Sequence, residues 1–304
     1  MSATSPSGEQ HEIRFEEQAA VVTEVGAGLR TYTVGERELL DGYGPDEMCR
    51  SGRGQVLLPW PNRIEDGRYD FRGRGHQLPL TEPAASNAIH GFVRWHNWAV
   101  GERSEASVVL GLTLYPQPGY PFALGLSVEY SLSRDGLRVT TTAKNEGAEP
   151  CPFGCGAHPY LTVGTERVDT AALSLPARTV LLSSDRGIPV GTMPVEEAAL
   201  DFGEERQIGA TTLDHCFTDL ERDAEGIARV ELAAPGGGQR LTLWMDESYR
   251  YVMVFTGDPL PDVARRSVAV EPMTCPPNAF RTGEGVTVLK PGASTSATWG
   301  LVPS

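Results

Sequence analysis

The apolar and polar positions of the chain alternate with the period of β-strands. Between residues 124 and 132 every even position is apolar or aromatic, and the odd positions are small or polar. This is the pattern of a strand with one buried face. The alternation stops at Asp135-Gly136 and then resumes as far as residue 143. Because Asp-Gly is a common hairpin turn, residues 124–143 predict a β-hairpin.

Similar patterns recur along the chain. Residues 68–78 predict a short hairpin around residues 72–75, residues 230–245 predict another around the Pro-Gly-Gly-Gly stretch, and residues 108–114 predict one more strand. Helical periodicity is nearly absent, and the best candidate for a helix is the short segment 193–200. The chain is therefore predicted to be all-β.

Length and turn residues define the domain. The chain has 304 residues, including 34 Gly and 23 Pro, and no linker or repeat divides it. An open sheet of so many strands would curl or split, so we predict a single-domain, large antiparallel β-sandwich. Its predicted bounds are residues 11–304, and residues 1–10 are predicted to be a disordered N-terminal tail.

Composition disfavours several partners and compartments. With 26 basic and 40 acidic residues the formal net charge is −14, which would repel nucleic acid and anionic membranes. No apolar stretch is long enough to span a membrane, and the N-terminal residues do not have the pattern of a secretion signal. Five cysteines without regular spacing are typical of reduced thiols. We therefore predict a cytoplasmic protein.

One acidic residue stands where a strand pattern calls for an apolar one. Glu271 follows Val268-Ala269-Val270 and precedes Pro272. An unpaired carboxylate in such a strand is costly unless something satisfies or uses it. Glu271 is therefore our first candidate for a catalytic carboxylate.

Arg63 lies in a hydrophobic segment stiffened by prolines, Pro59-Trp60-Pro61-Asn62-Arg63-Ile64. A guanidinium in this position could hold a carboxylate or sugar hydroxyls through forked hydrogen bonds. The alternative is a salt bridge to a structural acid such as Glu65 or Asp66.

Residues 86–98 concentrate two His, one Arg and two Trp. This mixture suits a carbohydrate site, because indole faces stack on the C–H faces of a sugar while imidazole and guanidinium supply directed hydrogen bonds. His90 and Trp95 are the binding candidates. Alternatives remain, since Trp95 and Trp98 taken singly fit a hydrophobic core and His96 fits a turn cap.

His158 lies between small residues and a proline, and it could serve as an acid or a base near neutral pH. A metal site formed by Cys151, Cys155 and His158 is a competing interpretation. No further Cys or His pair at ligand spacing follows to complete a tetrahedral zinc site, so we predict no metal.

Asp214 is a polar residue within an apolar frame, Leu213-Asp214-His215-Cys216-Phe217. Its carboxylate could accept hydrogen bonds from ligand hydroxyls, or it could form an Asx turn. The sequence contains no nucleophile elbow, phosphate-binding loop or HExxH motif, which disfavours covalent, phosphoryl-transfer and zinc-protease chemistry.

Taken together and in this order, the clusters resemble the aldose 1-epimerase (galactose mutarotase) family over most of the chain. The segments that carry the resemblance are Pro59-Trp60-Pro61-Asn62-Arg63-Ile64, Asn87-Ala88-Ile89-His90-Gly91, His158-Pro159-Tyr160-Leu161, Ile188-Pro189-Val190-Gly191, Leu213-Asp214-His215-Cys216-Phe217, Thr256-Gly257-Asp258 and Glu271-Pro272-Met273-Thr274.

The resemblance implies a β-sandwich with an open cleft on one curved sheet, and a reaction that interconverts the α and β anomers of a hexopyranose. By resemblance, Glu271 is the general base and His158 the general acid. The sugar would be held by Arg63, His90 and Asp214, with Asn62 and Trp95 as further binding residues. No cofactor is implied.

Two expectations concern the details of that site. Unperturbed pKa values of about 4.3 for Glu and 6.5 for His favour a Glu271 carboxylate and a protonated His158 near pH 7. Trp60 and Phe92 depart from the pattern of the best-known family members and are expected to reshape the pocket.

Other functions remain open on the sequence. The chain could be a non-catalytic sugar-binding or sensor protein, or a carbohydrate-cleaving enzyme with Asp214 as its second carboxylate. It could also be an epimerase for an acidic or otherwise modified sugar, held by Arg63 with Arg94 or Arg53. We predict a monomer or weak dimer, whose partner is a small-molecule sugar.

Overall fold

The computed structural model describes residues 5–304, whose regular secondary structure is almost entirely β-strand. They include one α-helical turn, α1 (Ala279–Thr282), and short 3₁₀ turns at Pro83–Ala85, Val93–Trp95, Val168–Thr170 and Pro235–Gly237. The strands are, in chain order, β1 (Gln10–Phe15), β2 (Gln18–Thr23), β3 (Leu29–Val34), β4 (Arg37–Glu38), β5 (Val56–Leu57), β6 (Arg63–Glu65), β7 (Arg68–Phe71), β8 (Arg74–Gln77), β9 (Asn87–Ile89), β10 (Ala99–Arg103), β11 (Ser107–Leu114), β12 (Leu124–Ser133), β13 (Gly136–Asn145), β14 (Cys151–Phe153), β15 (Gly156–Ala157), β16 (Tyr160–Leu161), β17 (Ala172–Leu175), β18 (Ala177–Ser183), β19 (Pro189–Pro194), β20 (Phe202–Gln207), β21 (Asp214–Leu220), β22 (Ala228–Ala233), β23 (Arg240–Met245), β24 (Tyr251–Phe255), β25 (Val268–Met273), β26 (Thr287–Leu289) and β27 (Ser294–Pro303).

Two large antiparallel sheets dominate the fold. One is nine-stranded, in the order β10-β11-β12-β13-β27-β23-β22-β17-β20. The other is eight-stranded, in the order β19-β18-β21-β24-β25-β15-β5, with β16 also paired to β25. Strands β1 to β4 form a separate four-stranded sheet, and β6-β9, β7-β8 and β14-β26 form two-stranded ladders. The predicted all-β sandwich is confirmed.

A shared hydrophobic core joins the two large sheets. Val128 and Leu243 of the nine-stranded sheet belong to the same buried cluster as Phe217 and Val254 of the eight-stranded sheet. The period-2 alternation of each strand turns these side chains inward and leaves the polar ones outside.

The predicted hairpins are confirmed. Strands β12 and β13 pair over their full length, from Leu124 opposite Asn145 to Ser133 opposite Gly136. Strands β7 and β8 form the short hairpin, and β22 and β23 form the hairpin around the Pro-Gly-Gly-Gly stretch. The predicted strand at residues 108–114 lies within β11.

The best candidate for a helix, residues 193–200, is not helical. Met193 and Pro194 end β19, which pairs with β18, and residues 195–199 form a turn. One bond of the helical type is present, from the Ala198 N–H to the Pro194 carbonyl. The helical propensity of this segment is weak, and its pairing with the neighbouring strand β18 outweighs it. In the part of the chain that the structure describes, no helix has the length and hydropathy needed to cross a membrane.

Ordered structure is present within the predicted tail of residues 1–10. Residues 1–4 lie outside the described part of the chain. Ser7 is buried, its carbonyl accepts a hydrogen bond from the Val25 N–H, and Gln10 begins β1. The folded domain therefore starts before residue 11, because β1 pairs with β2 along its whole length.

The alternation of β25 explains how an acid fits into an apolar strand. Val268 and Val270 belong to the main core, whereas Met273 belongs to a second, smaller cluster on the opposite face of the sheet. Glu271 and Met273 are two residues apart in the strand, so their side chains point to the same face. The residue opposite Glu271 on β24 is Met253, which belongs to the same small cluster. The carboxyl of Glu271 therefore faces away from the main core.

Candidate active site

A cavity of about 410 Å³ lies on that face of the eight-stranded sheet, within the usual size range of small-molecule pockets. All of the predicted site residues line it: Asn62, Arg63, His90, Trp95, His158, Asp214 and Glu271. A second depression of about 810 Å³ lies elsewhere, between β3 and the segment around Thr162 and Glu166, and contains none of them. The fold thus brings together the residues that the sequence predicted as one site.

Neighbouring strands supply the central groups. Glu271 is on β25, His158 directly follows β15, and Asp214 is the first residue of β21. In the sheet these strands run in the order β21-β24-β25-β15. His158 is anchored through its backbone, since its N–H donates to the Gln55 carbonyl and its own carbonyl accepts from the Gly54 N–H.

The side chains of His158 and Glu271 are in contact. His158 Nε2 lies 3.3 Å from Glu271 Oε1, and the side chains are only 8% and 3% exposed. His158 Nδ1 and Glu271 Oε2 have no hydrogen-bond partner among residues 5–304. Buried polar atoms are normally satisfied, so these two atoms are candidates for contact with a ligand.

The imidazole of His158 favours its neutral form in the free protein. Burial lowers its pKa to about 3, and Arg94, Arg53 and Arg63 act in the same direction, against a backbone hydrogen bond that raises it. The expected resting imidazolium is therefore corrected. The unperturbed pKa did not include the removal of water or the three guanidinium groups.

The carboxyl of Glu271 favours its protonated form. Burial raises its pKa well above the ordinary value, Asp214 adds to this shift, and Arg63 opposes it. Together with the lowered pKa of His158, this favours a contact pair in which the proton lies on Glu271 and not on His158. Two ionised groups in the pair would each lose hydration, which the 3.3 Å contact only partly offsets.

Arg63 is held by an acid that the sequence did not predict. Its Nε and Nη2 each donate to Glu82 at 2.9 Å, and Asn87 Nδ2 also donates to Glu82 at 2.9 Å. The alternative partners, Glu65 and Asp66, instead form ion pairs with Arg186 and Arg281.

The guanidinium of Arg63 is thus fixed by the bidentate carboxylate of Glu82, and Arg63 still lines the cavity. Nothing in the local sequence marks Glu82, because its contact with Arg63 depends on how the loop before β9 folds back on β6.

Asn62 and His90 hold each other in unusual backbone conformations. Both have positive φ, 54° and 63°. The His90 N–H donates to the Asn62 carbonyl at 2.9 Å, and the Asn62 N–H donates to His90 Nδ1 at 3.1 Å. Since Nδ1 accepts, a neutral His90 carries its proton on Nε2. Burial lowers its pKa well below the ordinary value, and His158 and the nearby arginines act in the same direction.

The two tryptophans have different roles. Trp98 is 2% exposed and belongs to the core, as the alternative interpretation held, whereas Trp95 is 48% exposed and lines the cavity. His96 Nδ1 lies 3.0 Å from the Phe92 carbonyl, in agreement with its interpretation as a turn cap.

Trp60 and Phe92 do not reshape the pocket. Trp60 is buried, its ring meets Phe92 edge-on at 4.9 Å, and it also packs against Phe280. Neither Trp60 nor Phe92 lines the cavity. Both rings instead pack against the main hydrophobic core.

Asp214 borders the cavity directly, and it is a strand residue and not the centre of an Asx turn. Burial raises the pKa of its carboxyl, while Arg63 and His215 oppose this shift. Its carboxyl oxygens are therefore placed where they can accept hydrogen bonds from a ligand in the cavity.

Gly52 and Tyr160 hold the His158 ring, and neither was assigned a role from the sequence. The ring stacks on Tyr160 with centroids 5.0 Å apart and planes at 12°. A Cβ at Gly52 would come within 2.7 Å of His158 Cδ2. The sequence could have indicated Tyr160, because it belongs to the His-Pro-Tyr segment. Nothing in the local sequence indicates a role for Gly52.

The only group of potential metal ligands among residues 5–304 is His90, His158 and Glu271, whose donor atoms lie within 4.8 Å of one another. The set considered from sequence is wrong, since Cys151 and Cys155 take no part in it. The cysteines are unpaired thiols in the described chain. The same three groups can instead move protons, which is the chemistry that the contact pair suits.

Comparison with known proteins supports one family. The family model described as Aldose 1-epimerase matches residues 9–301. YihR of Escherichia coli (strain K12), described as an uncharacterized protein, is 36% identical over 287 residues, covering 94% of this chain and 90% of YihR. YphB of the same strain, likewise described as uncharacterized, is 25% identical over 249 residues, covering 81% of each.

Solved structures agree on the fold. A GalM/aldose epimerase homologue from C. elegans has a TM-score of 0.87 at 18% identity, over 97% of this chain and 98% of that one. A putative aldose 1-epimerase from Escherichia coli K12 has a TM-score of 0.83 at 21% identity, over 97% and 99%. With the family model and YihR, these findings lead to one conclusion: the chain belongs to the aldose 1-epimerase family.

Proposed function

We propose that the protein is an aldose 1-epimerase that interconverts the α and β anomers of a hexopyranose. The observation that carries this proposal is the contact between His158 Nε2 and Glu271 Oε1 inside a sugar-sized cavity. Anomer exchange needs an acid and a base next to the same hemiacetal carbon, and a pair that shares one proton provides both.

The reaction proceeds through the open-chain aldehyde. Glu271 removes the proton from the anomeric hydroxyl while His158 donates a proton to the ring oxygen, and the bond between C1 and the ring oxygen breaks. Rotation about C1–C2 presents the other face of the carbonyl. The ring oxygen then attacks C1 and returns its proton to His158, while Glu271 returns a proton to the new anomeric oxygen. The protein ends in its starting state.

Catalysis requires the less populated of the two proton positions, in which the shared proton is on His158. In the free protein the proton is on Glu271, and transfer to His158 creates the carboxylate and imidazolium that the reaction uses. Arg63 stabilises the carboxylate, because its charge lowers the pKa of Glu271. Sugar hydroxyls that donate to the unpartnered Oε2 would act in the same direction.

Several other cavity residues suit the recognition of the hydroxyls and the apolar face of a pyranose ring. Arg63 and the Nε2–H of His90 can donate to hydroxyls, Asp214 can accept from them, and Asn62 fixes His90. The exposed indole of Trp95 offers a face for the C–H side of the sugar. We retain the predictions of a cytoplasmic location, a monomer or weak dimer, and no cofactor or metal. Activity that a chelator removes would contradict the last of these.

The first test is the rate of anomer equilibration of freshly dissolved α-glucose and α-galactose, followed by polarimetry. We expect the wild type to accelerate it and Glu271→Gln to lose about 10²–10⁴-fold, the usual contribution of one proton-transfer group. Glu129→Gln is the control, since Glu129 is also a strand residue but exposed on β12. Full activity in Glu271→Gln would remove Glu271 from the base role, and sugar binding without acceleration would indicate a sensor.

A further inference from the structure

The arginines near the cavity differ in how their charges are balanced. Arg63 has the bidentate partner Glu82. Arg53, which the sequence offered as an anion-binding residue, is bound to Asp41 at 3.1 Å and lies over the Tyr160 ring. Arg53 does not line the cavity, so its charge is already satisfied elsewhere.

Arg94 lines the cavity and has no acidic partner in the part of the chain that the structure describes. Its Nη1 donates to Gln55 Oε1 at 3.3 Å and its Nη2 to the Ile89 carbonyl at 3.4 Å, both long contacts to neutral acceptors. Its Nε is buried without a partner among residues 5–304. The undescribed residues 1–4 carry no carboxylate side chain.

No neighbouring group supplies the missing negative charge. The thiol of Cys49 is nearby, but burial raises its pKa to about 11, so it stays neutral. Burial accordingly lowers the pKa of Arg94, with Cys49 as the one opposing group. A cation that gives up hydration without a counter-ion destabilises the folded state. Such a residue is explained when a ligand provides the counter-ion.

We propose that Arg94 binds an anionic substituent on the hexopyranose, so that the preferred substrate is a sugar acid or an acidic sugar ester and not the neutral hexose. This inference rests on the proposed epimerase function and names its substrate class. A guanidinium suits carboxylate, sulfate and phosphate groups alike, because its planar donors match paired oxygens.

The position of Arg94 indicates where the anion is attached. Arg94 Nη1 donates to the side chain of Gln55, and the carbonyl of the same Gln55 accepts the backbone N–H of His158. Arg94 therefore lies on the His158 side of the pair. If His158 serves the ring oxygen and Glu271 the anomeric hydroxyl, that side faces the substituent of C5, which is the C6 position of a hexopyranose.

An anion at Arg94 would also favour catalysis. It would offset the charge that most disfavours a protonated His158, and would thereby make the imidazolium, the form that donates to the ring oxygen, easier to reach. The net charge of −14 does not oppose this local recognition, because exposed charges are screened beyond about 8 Å at physiological salt.

The test compares anomer exchange, measured by NMR with the uncatalysed rate subtracted, for glucose, glucuronate, glucose 6-sulfate and glucose 6-phosphate. We expect the wild type to have a higher kcat/KM for at least one of the acidic sugars than for glucose. Arg94→Gln should lower that value by about 10- to 100-fold, as for a lost hydrogen-bonded ion pair, while its kcat/KM for glucose stays equal or rises. Arg94→Lys should retain part of the preference.

Arg178→Gln is the control for the loss of one positive charge, since Arg178 is exposed and pairs with Glu221 at the surface; its selectivity should match the wild type. The inference is overturned if no acidic sugar is preferred, or if Arg94→Gln slows glucose and the acidic sugars equally. If the wild type accelerates no sugar, the proposed function fails. In that case the melting temperature is measured with each acidic sugar. An increase in the wild type that is lost in Arg94→Gln would still show an anion site. No increase in the wild type would overturn this inference too.

Discussion

Glu271 and His158 are individually ordinary residues whose properties change because they are buried together. Their contact at 3.3 Å and their low exposure leave one proton for two groups. Burial pushes the two pKa values in opposite directions, up for Glu271 and down for His158. These opposite shifts favour a proton on Glu271 over one on His158.

Burial of Glu271 also predicts how stability depends on pH. The unfolded chain releases the proton of this carboxyl above the ordinary value of 4.5, while the folded protein keeps it. The stability that this group contributes is fully present below pH 4.5 and is lost as pH rises towards the raised folded pKa. The amide introduced by Glu271→Gln cannot titrate, so this variant should gain stability relative to wild type with rising pH.

The difference in the free energy of unfolding should grow by at most about 1.4 kcal/mol per pH unit. Urea unfolding of wild type and Glu271→Gln across the range from weakly acidic to weakly alkaline pH measures it, with the exposed Glu129→Gln as a control that should show no such trend. A difference that stays constant over this range would mean that Glu271 is already ionised in the folded protein.

At the scale of the elements, the site depends on short loops that approach the eight-stranded sheet. The His158 ring is close to Tyr160, on its own segment, and to Gly52, on the loop before β5. Asn62 and His90, which follow different strands, fix each other through reciprocal hydrogen bonds. The sheet supplies the position of Glu271, and these loops supply the orientation of the imidazole rings.

A methyl group at Gly52 should therefore impair catalysis. In Gly52→Ala the new Cβ would lie 2.7 Å from His158 Cδ2, and the ring is already packed against Tyr160. Gly73→Ala is a matched control: both glycines have φ of +77°, but a Cβ at Gly73 meets nothing within 4 Å. Both variants carry the cost of a left-handed alanine.

We expect kcat to fall at least about 10-fold in Gly52→Ala, since small misplacements of a catalytic group can cost up to about 100-fold. Gly73→Ala should keep its kcat and show only a lower melting temperature. Equal activities of the two variants at a temperature where both are folded would show that Gly52 does not position His158.

The surface of the whole molecule shows how it meets its surroundings. The exposed large hydrophobic residues belong to different segments of the chain; among the described residues they are Met48, Leu80, Trp95, Val100, Tyr115, Val190 and Val288. Trp95 belongs to the cavity. Stable dimers usually bury a contiguous apolar patch, so this distribution favours a monomer or a weak dimer.

Sedimentation velocity over a range of concentrations tests this expectation. We expect the sedimentation coefficient of a monomer at low micromolar concentration, with at most a small increase at higher concentration. A dimer that persists at nanomolar concentration would contradict the prediction and would direct attention to the unpaired edge strands β10, β20 and β19.

The sequence alone determined the strands and the chemical candidates. The alternation around β12 and β13 is a local property, so it predicted the hairpin and its turn without tertiary information. Glu271 was found because a carboxylate conflicts with the valines beside it, and every predicted site residue lines the cavity. Local signals failed where other parts of the chain decided the outcome, as in β19, where pairing with β18 replaced the predicted helix.

Tertiary structure decided the electrostatic state of the site. Arg63 pairs with Glu82 and not with its sequence neighbours, Trp95 opens to the cavity while Trp98 is buried, and Arg94 is left without an acid in the described chain. Each outcome depends on which distant segments meet and how much water they exclude. A sequence lists the charges of this protein, but only the fold sets their distances and burial, and these determine where its protons reside.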